Sequence, residues 1–431
     1  MDDLRQSKAG QPTRRSFLAN TLTLGGGTGL AQGLLILSTP FLSRIFTPEA
    51  IGDFGIYYAV VSFAIVLAPL GYPMAVVSSE SDGDAIRLTL GAIALAVLSS
   101  VVAVAGMGLL RHLGWFGFQR LSWGVLPLGG LAILITASFE ALRLWFVRSE
   151  DFGAVSRAVV LQGAGRAVGP LPLGLAGLGT FGLVLGDLLG RGLGVGALVR
   201  RFGAAARSRS TRPTAPDVPA TLWAYRRFPA TQVPSRALNT LATLLPVPMV
   251  MALYGPQTAG LYVMMERVLS VPVSFVGRAT GDVFHARLAL LRRESPREAR
   301  RLFYRTGGFL AVLAVPMVAL LMFVGPEAFA LVLGDPWREA GVFAAILAPW
   351  AGLRLVVAPL SMSVFVYEAL RLKLLYDVLA LTAVVGAFGY GRAAGLDVQS
   401  TLTLLVVLGS TTYLVYYLLL LFVVRREGGQ S

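Results

Sequence analysis

The chain has 431 residues, 55% of them apolar and only 14% charged, with a formal net charge of +14. A soluble domain carries about 25% charged residues, so this composition and a mean hydropathy of +0.70 exclude an ordinary soluble enzyme and place most of the chain in lipid. With no cysteine there are no disulfides, thiol catalysts or thiolate metal sites, and His112 and His285 lie too far apart in sequence to suggest a metal centre.

A bilayer crossing needs about 20 apolar residues. Charge-free runs of that kind occur at Ser16–Ser43, Leu88–Leu110, Thr306–Pro326 and Val398–Val424. Adding apolar runs with one or two charges predicts helices over 17–39, 53–78, 86–110, 123–146, 155–177, 179–199, 228–253, 258–283, 303–325, 340–366, 372–391 and 399–424. The boundary at Gly177–Gly179 and the proline-containing seventh span are the least distinct. The expected organisation is a tail over 1–16, six spans over 17–199, a basic linker over 200–227, six more spans over 228–424 and a second tail over 425–431. The fold class is therefore an all-α membrane protein of two six-helix lobes.

Twelve spans put both termini on one side. The segments on that side collect most of the arginines, above all Arg200 to Arg227 and Arg287 to Arg301. The opposite loops hold Arg44, Arg111, Arg120, Arg338 and Arg392. The positive-inside rule then makes the termini cytoplasmic, in a bacterial inner membrane. The same distribution rules out nucleic acid as the partner behind the high pI, because the arginines mark short connections between apolar runs. Thr13-Arg14-Arg15-Ser16-Phe17-Leu18 matches a twin-arginine export signal, but no cleavage site follows and eleven spans do. It is expected to be an uncleaved basic flank. The leucines interleaved with Arg287–Arg301 fit either an interfacial helix lying on anionic membrane lipid or a basic segment that only sets topology.

An internal repeat appears at an offset of 208 residues. Pro40, Pro48, Gly52, Phe46 and Phe54 align without a gap on Pro248, Pro256, Gly260, Tyr254 and Tyr262. Each copy ends one helix of its half and begins the next. Proline suits the first helical turn, and the glycine four residues on permits close helix approach. An even number of spans per half makes this a parallel repeat with its pseudo-twofold axis along the membrane normal. That arrangement suits alternating access to a site between the lobes.

Charges at bilayer depth are functional candidates because they are costly. Asp187 and Arg191 share a helix face and can pair, as can Glu140 and Arg143. Arg166, Arg236, Arg267 and Arg354 have no acidic neighbour at helical spacing. Together with Arg191 they predict a wet, net-positive cavity suited to phosphate. Asp187, Glu266 and Asp377 are candidate ion-coupling sites. No Walker A pattern, cofactor signature or catalytic constellation stands out, so a transporter without a cofactor is expected.

Four stretches resemble one family: Leu37–Phe54 with its P-x7-P-x3-G-x-F pattern, Phe228-Pro229-Ala230-Thr231 through Leu238-Asn239, Gly260 through Ala279, and Leu333 through Gly341. The chain is similar to Wzx-type polysaccharide and O-antigen flippases, a branch of the MOP (MATE-like) exporter superfamily. The resemblance implies a lipid-linked (polyprenyl-pyrophosphate) oligosaccharide as cargo, moved from the inner to the outer leaflet. It also implies a polysaccharide polymerase and chain-length components as partners. Family members differ in cavity residues, so no ligand contact carries over. The alternatives are a related exporter of lipid II or of drugs, and a membrane glycosyltransferase or polymerase of the same pathway. A cationic drug would call for acidic cavity residues, and a polymerase for a large outer loop.

Overall fold

The computed structural model describes residues 14–208 and 217–427. Residues 1–13 of the tail predicted over 1–16, the middle of the linker at 209–216 and the last four residues lie outside them, as does the start of the twin-arginine motif. In the first half α1 (Arg14–Leu37) continues into α2 (Thr39–Ile45), followed by α3 (Pro48–Leu67), α4 (Tyr72–Ser78), α5 (Asp82–His112), α6 (Val125–Arg148), α7 (Phe152–Val168), α8 (Pro170–Leu175) and α9 (Gly179–Ser208). A linker helix α10 (Asp217–Ala224) leads to the second half: α11 (Arg227–Leu244), α12 (Pro246–Glu294), α13 (Pro296–Leu333), α14 (Arg338–Leu360), α15 (Ser363–Val366), α16 (Leu370–Ala393) and α17 (Val398–Glu427).

Among the described residues nine helical stretches are long and apolar enough to cross a membrane. One of them, Val233–Glu294, holds two crossings, because the backbone leaves helical geometry at Gly255 (φ 88°, ψ 177°). The α1–α2 and α7–α8 pairs occupy the two other segments that the sequence predicts as spans and are not among the nine. The break before Pro256 has its counterpart before Pro48, where Phe46 is extended and Thr47 caps α3 through its side chain. Both halves therefore start their second crossing with proline in the first helical turn, as the repeat predicts. The α8–α9 boundary falls at Gly177 and Gly179, both with positive φ.

The two halves repeat the same packing. In the first, α1 lies on α7, α3 on α6, α5 on α6, and both α6 and α7 on α9. In the second, α11 lies on α16, α12 on α14, α13 on α14, and both α14 and α16 on α17. The halves meet where α3 crosses α12. A Cβ on Gly52 would overlap the Pro256 carbonyl, and one on Gly260 would overlap the Pro48 carbonyl. The repeated motif thus packs against its own copy, as an isologous contact requires.

One apolar core spans both halves at this end, joining Tyr57, Met107 and Phe118 to Met251, Leu261 and Trp337. Two further polar links cross there. The Ser43 hydroxyl donates to the Leu333 carbonyl (2.9 Å), and Trp337 Nε1 donates to the Ser43 carbonyl (2.9 Å). Arg120 pins its short turn to Asp53 on α3 at 2.7 Å. Toward the terminal end, where α1 begins and α17 finishes, the core divides in two. One part packs Ile86, Trp145 and Phe202 of the first half. The other packs Phe284, Phe303 and Leu420 of the second. The halves are joined at the far end and part toward the terminal end.

The basic stretch around Arg287–Arg301 does not form an interfacial helix of its own. It continues α12 and α13, which turn only at Ser295, whose side chain caps α13. The run of α12 from Pro256 to Glu294 and the 38 residues of α13 are each well beyond the roughly 20 residues that a crossing requires. Leu288 is buried in the second half's terminal core rather than facing lipid. The linker helix α10 docks on the first half, with Leu222 against Gly91 and the Tyr72 hydroxyl donating to the Leu222 carbonyl at 3.0 Å.

Replacing Gly260 by alanine forces apart the closest backbone approach between the halves. Overpacking of this kind costs about 1–3 kcal/mol, so the thermal unfolding midpoint in detergent should fall. Gly277→Ala, whose Cβ would meet nothing nearer than 3.9 Å, should leave it unchanged.

Candidate functional site

A chamber of about 380 Å³ lies between the halves, where the shared core gives way to the two separate ones. It is lined from one side by Tyr58, Arg166 and Asp187, and from the other by Tyr262, Glu266, Arg267 and Arg354. A second chamber of about 470 Å³ lies wholly within the second half and shares Thr243, Tyr262, Glu266 and Arg354 with the first.

Small residues set the geometry in the first half. Gly165 and Gly169 on α7 and its end face Gly190 and Gly186 on α9, where any Cβ would strike the opposing backbone. The two helices therefore run close enough for Arg166 Nε to reach Asp187 Oδ1 at 2.8 Å. Arg191 Nε takes the other carboxylate oxygen at 2.5 Å, as its i, i+4 spacing predicts, and its Nη1 donates to the Thr136 hydroxyl at 2.9 Å. Its guanidinium also lies over the Tyr58 ring, 5.9 Å from the centroid. Asp187 and Arg191 are both about 95% buried. Glu140 and Arg143 pair within α6, as expected.

In the second half Arg354 Nη1 donates to Glu266 Oε1 at 2.8 Å. Arg166 and Arg354, which lack acidic neighbours at helical spacing, therefore find them on other helices. Asp377 is fully buried and accepts from Ser235 (2.5 Å), Asn239 (3.2 Å) and Lys373. Arg236 is exposed on α11 and lines neither chamber.

Arg267 is held differently. From α12 of the second half it reaches α1 and α2 of the first. Its Nε donates to the Thr39 hydroxyl at 3.1 Å, and its Nη2 to the Leu35 carbonyl at 3.1 Å and the Ser38 hydroxyl at 3.4 Å. All three acceptors are neutral. The chamber lining carries three arginines against two carboxylates, and Arg191 backs it with a fourth. The arrangement can hold an anion by charge-assisted hydrogen bonds while keeping each carboxylate compensated.

Sequence reasoning left Tyr58, Lys373, Ser235 and Asn239 unassigned. Lys373 had a usable signal: it is one of only two lysines in the chain, four residues before Asp377.

The polysaccharide biosynthesis protein family matches residues 41–342. The succinoglycan biosynthesis transport protein ExoT of Rhizobium meliloti (strain 1021) is 24% identical over 401 residues, covering 87% of this chain and 74% of that protein. The lipid II flippase MurJ, in its inward closed conformation, superposes with a TM-score of 0.72 at 13% identity, over 93% of this chain and 87% of its own. An inward-facing multidrug resistance MATE family transporter of the MOP superfamily gives 0.71 at 14% identity, over 94% and 96%.

Asp187→Asn leaves Arg166 and Arg191 without a counter-charge. Removing one partner of a buried pair costs about 3–5 kcal/mol, so the variant should unfold at a clearly lower temperature. Asp187→Asn combined with Arg191→Gln should lose less than the sum of the two single changes in a double-mutant thermal cycle.

Proposed function

We propose that this chain, which belongs to the polysaccharide biosynthesis protein family, carries a lipid-linked oligosaccharide on a polyprenyl pyrophosphate across the bacterial inner membrane. The protein is a multi-pass membrane transporter and not an enzyme. In this reading the termini are cytoplasmic, the chamber opens toward the cytoplasm, and the cargo passes from the inner to the outer leaflet.

The observation that carries the reading is Arg267. Its guanidinium sits in the interlobe chamber and, among the described residues, bonds only to neutral oxygens. A phosphate oxygen is a stronger acceptor than a hydroxyl or a carbonyl, and charge-assisted bonds are about twice as strong as neutral ones. An anionic headgroup can therefore displace those contacts. The excess of arginine over carboxylate works against a cationic drug as cargo, which would favour the opposite balance. Leu35, Ile36, Val263 and Val271 give the same chamber an apolar wall for the isoprenoid portion.

Coupling to an ion is assigned to Asp377 in the same reading. Asp187 and Glu266 face guanidinium groups, whereas Asp377 faces the Lys373 ammonium. An ammonium can give up its proton where a guanidinium does not. Exchange of a proton at the Lys373–Asp377 pair would then be the coupling step.

Deletion of the gene should cause complete lipid-linked repeat units to accumulate in extracted membrane lipid. Arg267→Gln should restore surface polysaccharide at least about tenfold less well than wild type, a loss of about 1.4 kcal/mol. Arg236→Gln should restore it fully. Full restoration by Arg267→Gln at equal membrane abundance would remove the phosphate assignment. For coupling, Lys373→Arg preserves charge and fixes the proton, so transport into vesicles should lose its dependence on a pH gradient. An unaltered dependence would move the coupling site elsewhere.

A further inference from the structure

We propose that the chamber inside the second half is a carbohydrate subsite, holding the first sugar of the cargo beside the pyrophosphate in the interlobe chamber. This rests on the reading above and extends it to residues that reading does not use. The chamber is enclosed by α11, α12, α14, α16 and α17, and its volume of about 470 Å³ falls within the range of small-molecule sites, roughly 300–1,000 Å³.

Its wall carries five aromatic side chains: Tyr262, Trp350, Tyr376, Tyr413 and Tyr416. Tyr376 stacks on Tyr416 with centroids 4.2 Å apart and planes at 22°, and Tyr413 leans on Tyr376 at 5.4 Å and 52°. Tyr376 and Tyr416 belong to the second half's own core on one side, with Tyr413 packed against it, and border the chamber on the other. Between them lie groups that bond hydroxyls: Asn239, Thr243 and Thr412, with the Glu266–Arg354 pair at the boundary of the two chambers. Trp350 Nε1 is buried and has no hydrogen-bond partner, which in a native interior calls for an explanation.

Flat apolar faces alternating with hydrogen-bonding edges match a pyranose, whose C–H faces and hydroxyl rim alternate in the same way. An isoprenoid or acyl chain fits poorly, because it offers no acceptor to Trp350 Nε1 or to the donors that Asn239, Lys373 and Arg354 have left beyond their bonds to Asp377 and Glu266. Thr243, Tyr262, Glu266 and Arg354 line both chambers, so a sugar here and a phosphate at Arg267 would lie on one continuous path.

The test uses the full chain in nanodiscs and two probes, polyprenyl pyrophosphate and the same lipid bearing one hexose, with affinities read by microscale thermophoresis. Wild type should bind the hexosyl lipid about tenfold more tightly than the bare one. Trp350→Ala and Tyr413→Ala should each reduce that preference to about twofold or less. Neither should change affinity for the bare lipid, which also reports that the variant is folded. Tyr413→Phe, which keeps the ring, should retain most of the preference. Equal wild-type affinities, or a preference that survives both alanine changes, would overturn the subsite and leave the phosphate reading standing. If Arg267→Gln spares bare-lipid binding while Trp350→Ala still abolishes the preference, the phosphate assignment fails and the subsite stands. Failure of both lipids to bind wild type would remove the subsite together with the reading it rests on.

Discussion

The architecture depends on one backbone contact made twice. Gly52 accepts the Pro256 carbonyl into the space a Cβ would fill, and Gly260 does the same for Pro48. The hydrophobic effect gives little drive for helix association within lipid, so close packing over small residues has to supply it. Here it joins the halves at one end, supported by a shared apolar core and by the Ser43–Trp337 and Ser43–Leu333 bonds. At the terminal end, among the described residues, no shared core of that size joins them: each half has its own, with Phe228 of α11 packed on the first half's. The interlobe chamber is the space this asymmetry leaves.

The buried charges divide by what they connect. Asp187 with Arg166 and Arg191, Glu266 with Arg354, and Asp377 with Lys373 each compensate within one half. Pairs of this kind contribute little net stability, since desolvation offsets their attraction. Their physical effect is to orient neighbouring helices and to keep carboxylates from standing alone in lipid. Arg267 is the exception, because it reaches from one half to the other and meets no carboxylate. Its bonds can be exchanged without stranding an opposite charge, a property the three compensated groups lack.

Much of this was legible from pattern. Span positions follow from apolar run length, and the two breaks before Pro48 and Pro256 follow from the repeat. The Asp187–Arg191 and Glu140–Arg143 pairs follow from helical spacing. The Arg166–Asp187 and Arg354–Glu266 contacts were not legible. Their partners lie 21 and 88 residues apart, and only the approach of whole helices brings them together. The glycines that govern that approach, Gly165 and Gly190, read in sequence as general packing residues. Arg236 illustrates how fine the margin is. Ser235 turns toward Asp377, and one residue on, about 100° further around the helix, Arg236 is exposed. The ring cluster at Tyr376, Tyr413 and Tyr416 was hidden for a related reason: tyrosines on apolar helices look alike whether they face lipid, core or cavity.

The length of α12 has a mechanical consequence. From its break at Gly255 to its tip at Glu294 the helix measures about 58 Å at 1.5 Å per residue. Arg292 fastens that tip to its own half, bonding to the Val366 carbonyl and lying over the Tyr367 ring at 5.2 Å. The helix is thus a lever whose fulcrum is the Gly52–Gly260 crossing, with Pro272 lying between fulcrum and tip. A swing of about 10° there carries the tip, about 51 Å away, through about 9 Å, so a very small adjustment where the halves touch is geared up into a large stroke at the other end of the molecule.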